Sequence, residues 1–151
     1  MSGIFWNDRL LVGHPRIDET HREFASLLNA LFVAADEAVP LALDALVAHL
    51  REHFAFEEEL MTRHDFPARG CHADEHEQVL ISVEEVSAEV AAGDSGSVRA
   101  LAEALEGWFS GHVDYMDSAL AAWVSKRTFD GAPLVFRRDA VSADALNEVT
   151  G

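Results

Sequence analysis

Eight histidines stand against a single lysine and a single tyrosine in this 151-residue chain. Their spacing says more than their number. His53 and Glu57 are four apart, as are His72 and His76, and residues at i and i+4 share one helix face. His21, His112 and Asp117 complete a set of five imidazoles and two carboxylates. Imidazole with carboxylate suits iron, and also manganese or zinc, and no thiolate site is available to favour copper(I). Cys71 is the only cysteine, so an internal disulfide is excluded. Seven ligand-type side chains exceed the six positions of one octahedral ion. They suit two ions, with Glu57 and Asp117 bridging. Burying such a set in an apolar core is costly unless a compensating charge is present, and a metal centre supplies that charge.

The elements that must carry these residues read as helices. Asp18 has the character of a helix N-cap, and His21, Phe24, Leu28, Leu31, Phe32 and Ala35 follow at helical spacing, which predicts a helix over about 18–37. Val39-Pro40 breaks the chain, and Pro suits a first helical turn. Leu43, Leu46, Val47, Leu50, Phe54, Glu57 and Met61 mark one face of a second helix over about 41–64, ended by Asp65-Phe66-Pro67. A third helix over about 71–91 carries His72, His76, Val79, Leu80, Val83, Val86 and Val90 inward. After the Gly93-Asp94-Ser95-Gly96 loop, a fourth over about 97–127 buries Leu101, Leu105, Trp108, Phe109, His112, Met116, Leu120 and Trp123. No stretch alternates with period two between hairpin turns, so no sheet is expected. The fold class is therefore all-α, an up-down-up-down antiparallel four-helix bundle over residues 1–127. Residues 1–17 form an irregular N-terminal arm. Residues 128–151 read as a C-terminal extension, with Leu134, Val135 and Phe136 able to pin it and Ser142–Val149 able to turn helically.

Heights along the bundle agree with a single centre. At roughly 1.5 Å per residue, His21, His72 and His76 lie within about 8 Å of their helix starts, while His53, Glu57, His112 and Asp117 lie about 10 to 22 Å before their helix ends. Antiparallel packing puts those starts and ends together. One spacing is awkward: His112 and Asp117 are five apart, about 140° around an α-helix. A π-bulge brings i and i+5 together, and such bulges recur at functional sites. The spacing thus motivates a π-bulge in the fourth helix.

The remaining candidates are given plainer roles. His49 lies four before His53 on the same face but one turn further from the shared end, which favours packing or surface. His14 and His64 fall at helix ends and read as solvated. Glu58 and Glu59 read as an exposed charge run beside Glu57. Cys71 points about 100° away from His72 around the helix, which favours packing over a redox role. Phe24, Phe54, Phe56, Met61 and Trp108 fall within one turn of candidate ligands and are expected to exclude water from the centre.

Composition limits the partners. Hydrophobic residues make up 49% of the chain and the formal net charge is −16. The apolar content excludes general disorder, and the charge repels nucleic-acid backbones and anionic membranes. No apolar run approaches the ~20 residues needed to span a bilayer. The first residues show no basic region followed by an apolar stretch, so a cytoplasmic location is expected.

Several segments together resemble the hemerythrin family, in its single-domain bacteriohemerythrin form. They are Ile17-Asp18-Glu19-Thr20-His21, His53-Phe54-Ala55-Phe56-Glu57-Glu58-Glu59-Leu60-Met61, Phe66-Pro67, His72-Ala73-Asp74-Glu75-His76 and Trp108-Phe109-Ser110-Gly111-His112, with Asp117 after them. The resemblance spans roughly residues 4–127. It implies that His72, His76 and His112 bind one iron and His21 and His53 a second. Glu57, Asp117 and an oxo or hydroxo group would bridge the two. The first iron would then be six-coordinate and full, and the second five-coordinate, open to O2 as ligand. Reversible O2 binding for carriage, storage or sensing is the implied function, and reduction of peroxide or nitric oxide at the same diiron centre is the alternative. A sensing role would call for a separate protein partner, since no signalling domain is visible in the sequence. Thr20 departs from the family, where Gln is frequent, and residues 128–151 extend past its usual end. Ferritin-like diiron oxidases use Glu-x-x-His pairs, which this chain lacks. The lone His64-Asp65 dipeptide, of a kind seen in phosphohydrolases, accounts for none of the other histidines.

Overall fold

A computed structural model describes residues 2–128. The first helix, α1 (Pro15–Val33), begins one turn before the expected Asp18. Pro15 occupies its first turn, and the N-cap is His14, whose Nδ1 accepts from the Ile17 amide at 3.3 Å. Asp18 instead folds its carboxylate back onto the amides of Val12 and Gly13, at 2.8 and 3.2 Å. It thereby ties the N-terminal arm to α1. The arm is clasped again at Ile4, whose amide and carbonyl both bond the Asn29 side chain at 2.8 Å. Gly3 has φ +123°, and a Cβ there would fall 2.7 Å from Asn29 Oδ1, so glycine is needed beside the clasp.

α1 also ends earlier than the expected residue 37. Ala34 and Ala35 are extended, and Asp36–Ala38 forms one 3-10 turn before α2 (Val39–Arg63). Ala35 is exposed, so the helical apolar pattern stops at Phe32. At the end of α2, Asp65 adopts φ 51°, while the amides of Phe66 and Asp65 bond the carbonyls of Met61 and Thr62. This is a Schellman-type cap with aspartate in the position usually held by glycine. It folds Phe66 back beside Met61 in a common apolar cluster and turns the chain into α3 (Arg69–Ala91).

The fourth helix comes in three parts: α4 (Val98–His112), a π-helical segment (Val113–Asp117) and α5 (Ser118–Thr128). Consecutive helices pack on one another and α4 closes back on α1, completing an all-α four-helix bundle. The residues described include no strand. The C-terminal extension expected from residue 128, with its Leu134–Phe136 and Ser142–Val149 readings, lies outside them apart from Thr128 itself.

The buried apolar side chains fall into two clusters. The larger gathers Phe24, Leu28, Leu43, Leu46, Leu50, Phe54, Val83, Leu101, Leu105 and Phe109. The smaller gathers Ile17, Leu60, Met61, Phe66, Leu120, Ala121 and Val124. Along α1, α2 and the fourth helix, residues of the two clusters flank the histidines and carboxylates, so a polar layer separates them.

Candidate metal centre

All four helical segments feed this layer. α1 brings His21, α2 His53 and Glu57, α3 His72 and His76, α4 His112, and the π segment Asp117. All seven are buried, at 4% exposure or less. The wider turn of Val113–Asp117 swings Asp117 back over His112, with Oδ1 3.1 Å from His112 Nε2. The five-residue spacing is thus accommodated by the backbone change that it called for.

The two carboxylates face both ways. Glu57 Oε1 lies 3.4 Å from His72 Nε2 and 3.2 Å from His76 Nε2, while Asp117 Oδ1 lies 3.0 and 3.1 Å from the Nε2 atoms of His72 and His112. On the other side, Glu57 Oε2 lies 2.9 Å from His53 Nε2 and 3.5 Å from His21 Nε2, and Asp117 Oδ2 lies 2.8 Å from His21 Nε2. Each carboxylate therefore spends one oxygen on a three-imidazole half and the other on a two-imidazole half. In each half the potential ligand atoms lie within 4.8 Å of one another.

These contacts are not a hydrogen-bond network. Of the close nitrogen–oxygen approaches, only His53 Nε2 to Glu57 Oε2 has hydrogen-bond geometry. The Nε2 atoms of His21, His72, His76 and His112, Glu57 Oε1 and both Asp117 oxygens are buried without a hydrogen-bond partner. Leaving a buried polar atom unpaired costs about 1–3 kcal/mol. A cation between the nitrogens and oxygens would satisfy all of them, so the donor set fits metal.

Electrostatics follow from this crowding. Burial opposes charge on His21 and His72, but contact with Asp117 and Glu57 outweighs it and raises both imidazoles to about 9. His112 is raised against burial by Asp117 and Glu75. Glu57 and Asp117 are held below the ordinary carboxylate range, because the surrounding imidazoles overcome the cost of burying them. Without metal, protons held on His21 and His72 offset the two carboxylates. Metal binding must displace them.

Around the ligand atoms the packing is aromatic. Phe54 stacks on His76 at 3.9 Å, Trp108 on His112 at 4.5 Å, and Phe109 meets His21 edge-on at 5.4 Å. Phe24 stands behind them against Phe109 and Trp108, and Met61 lies in the smaller cluster. Phe56 is half-buried, packs against His14 and under Arg16, and lines with His53 the cleft at the edge of the imidazole cluster.

Other residues correct the reading from sequence. Glu58 is no idle surface charge, since its Oε2 accepts from His76 Nδ1 at 3.0 Å. Glu75 stands in the sequence merely as the neighbour of His76, yet its Oε1 meets both His112 Nδ1 and Trp108 Nε1. Partners one helix away leave no periodic signal, so spacing alone could not find them. Cys71 is exposed, which does not fit the expected packing role. His14 is a half-buried cap, and the half-buried His64 offers its carbonyl to Trp123 Nε1 at 2.6 Å. His49 stays outside the cluster, bonding the Thr20 carbonyl at 3.0 Å. Burial and the neighbouring His53 push it down to about 4. It lines a cleft of about 230 Å³ with Arg16, Glu19, Glu52 and His53.

A helical bundle holding a buried layer of imidazoles and carboxylates in this geometry defines a metal-binding four-helix protein. The family profile described as the hemerythrin HHE cation binding domain matches residues 12–124. A bacteriohemerythrin of Ralstonia nicotianae is 39% identical over 127 residues, covering 84% of this chain and 93% of that protein. Bacteriohemerythrins of Stenotrophomonas maltophilia and Aquifex aeolicus are 34% and 33% identical over 125 and 116 residues. They cover 80% and 73% of this chain, and 81% and 88% of those proteins. The chain belongs to the hemerythrin family. No helix among the described residues is long and apolar enough to cross a membrane.

Proposed function

We propose that this layer holds two iron ions and binds O2 reversibly, for carriage, storage or sensing. The observation that carries the reading is the split of donors into unequal halves that share Glu57 and Asp117. His72, His76 and His112 would ligate one ion, and His21 and His53 the other. Three nitrogens, two carboxylate oxygens and one oxo or hydroxo bridge would fill six positions on the first ion. Two nitrogens with one oxygen from each of the same carboxylates and the bridge would fill five on the second. When bound, the ferrous pair supplies two electrons and one open position for a small ligand on the two-histidine half.

The residues of the chain do the rest. Glu57 and Asp117 offset the charge of both ions, which lets the pair sit in a core otherwise lined by Phe54, Phe109 and Trp108. Those rings keep water and protons from the ligands and so favour release of O2 unchanged. That the relatives are named bacteriohemerythrin supports the reading.

A specific feature favours a second reading, reduction of peroxide or nitric oxide. The cleft that His53 helps to line carries charged and polar groups, which would give protons a route past those rings. Stopped-flow mixing of the diferrous protein with O2 separates the two. A persistent adduct that releases O2 on evacuation supports binding, and rapid decay to ferric protein supports reductive chemistry.

A further inference from the structure

The two halves of the centre differ beyond their donor count. His76 Nδ1 meets Glu58 Oε2 at 3.0 Å, and His112 Nδ1 meets Glu75 Oε1. The Nδ1 atoms of His21 and His53 are buried with no partner, as is that of His72, the one histidine of the other half without a carboxylate behind it. Both carboxylates therefore serve the three-histidine half. Each also reaches across a helix boundary. Glu58, next to Glu57 on α2, reaches α3, and Glu75, next to His76 on α3, reaches α4. Glu75 is further fixed by the Trp108 indole N–H at 3.1 Å, and Trp108 stacks on the same His112 ring. Among the described residues, neither carboxylate pairs with a lysine or arginine, so no surface ion pair accounts for their placement.

We propose that Glu58 and Glu75 are positioning residues that brace His76 and His112 through Nδ1 and make the three-histidine half the tighter and more electron-rich of the two. A carboxylate acceptor at Nδ1 keeps the proton there and leaves the Nε2 lone pair for the metal. It also makes the imidazole a stronger donor, which favours ferric over ferrous iron. The two-histidine half lacks this support and gives up iron first. The proposal rests on the two-iron reading above.

Anaerobic titration of the full chain with Fe²⁺, followed by equilibration in a redox buffer, tests it. Wild-type protein takes up two ions. Glu75→Ala weakens one of the two by about ten- to a hundredfold, the usual cost of losing such a partner, and leaves the other within about twofold. Glu75→Gln and Glu58→Gln keep an acceptor but remove its charge. Because charge-assisted hydrogen bonds are roughly twice as strong as neutral ones, each should raise the ferrous-to-ferric ratio at fixed potential about fivefold. The exposed Glu59, whose one ion pair among the described residues is with Arg63, is the control, and Glu59→Gln leaves both readings at wild-type values. If Glu75→Ala fails to fold, the two glutamine variants carry the test. Equal weakening of both irons, or glutamine variants with an unchanged ratio, overturns the proposal while leaving the two-iron reading intact. A wild-type chain that takes up no iron overturns both.

Discussion

The two ends of the bundle are built from the same helices at the same spacing, yet opposite physical chemistry holds them. At one end Leu28, Leu43, Leu46, Leu50, Val83 and Leu105 meet in a cluster that only has to leave water. Toward the other, between that cluster and the smaller one around Ile17, Met61 and Leu120, five imidazoles and two carboxylates sit where a hydrophobic core would normally run on. The first end is stabilised by its own burial. The second carries unpaired polar atoms that only a cation satisfies well. The comparison also explains the backbone. The described fourth helix departs from α geometry where the metal layer crosses it, between His112 and Asp117. Regular packing tolerates ideal helices, and convergence of side chains on one point does not always.

Substitutions can break this contrast from either side. The largest effect is expected at Glu57. Glu57→Ala removes an oxygen from each half of the centre and one of its two negative charges, so the protein should lose at least one metal. His112→Ala opens one position in the three-histidine half, which water or added imidazole can fill, so two metals should survive. Metal counts on the two variants decide it. If Glu57→Ala keeps two irons and His112→Ala loses both, the bridging role is wrong.

At the apolar end the expected cost is in stability alone. Leu46 is fully buried, and Leu46→Ala should lower unfolding free energy by about 2–5 kcal/mol. Denaturant melts of the iron-loaded variant should show that loss with metal content unchanged. Loss of iron from a folded Leu46→Ala protein would show that the two ends are not separable.

A smaller effect is expected from pH, and only in chelator-stripped protein. His21 and His72 are raised to about 9 in the folded state from an ordinary 6.5. Folding therefore binds extra protons between these values, and stability falls as pH rises. The contribution is complete below about 6.5 and is lost as pH passes 9. Melts of the stripped protein from pH 6 to 9.5 should show a progressive decline. Iron-loaded protein should not, because its imidazoles hold metal rather than protons.

The smallest effect is expected from the C-terminal extension. Residues 128–151 contain no histidine, and every candidate ligand precedes them. Ending the chain after Arg127 should leave the iron count and the oxo-to-iron absorption bands as they are. A folded truncation without those bands would give the extension a role at the centre.

Much of this was legible in the sequence because helical periodicity is a local signal. The apolar runs from Phe24 to Phe32 and from Leu43 to Met61 pointed to two helices, and the i, i+4 pairs pointed to the buried cluster that the fold gathers. The odd five-residue step from His112 to Asp117 pointed to the π segment. Local competition was harder to read. Asp18 has the chemistry of a cap, but Pro15 started the helix earlier and left its carboxylate to the arm. Long-range polar pairing left no trace at all. Glu58 lies in a run of three glutamates, and nothing in that run marks the middle one as a partner for His76 eighteen residues away. Phe56 shares a helix with the ligands, and its contacts with His14 and Arg16 at the rim of the cleft beside His53 carry no periodic signal.

The most direct test of the central claim is iron analysis of the protein purified from its native source, paired with its absorption spectrum in air. The account predicts two irons per chain and oxo-to-iron charge-transfer bands. One metal ion per chain, or zinc alone without those bands, would contradict it.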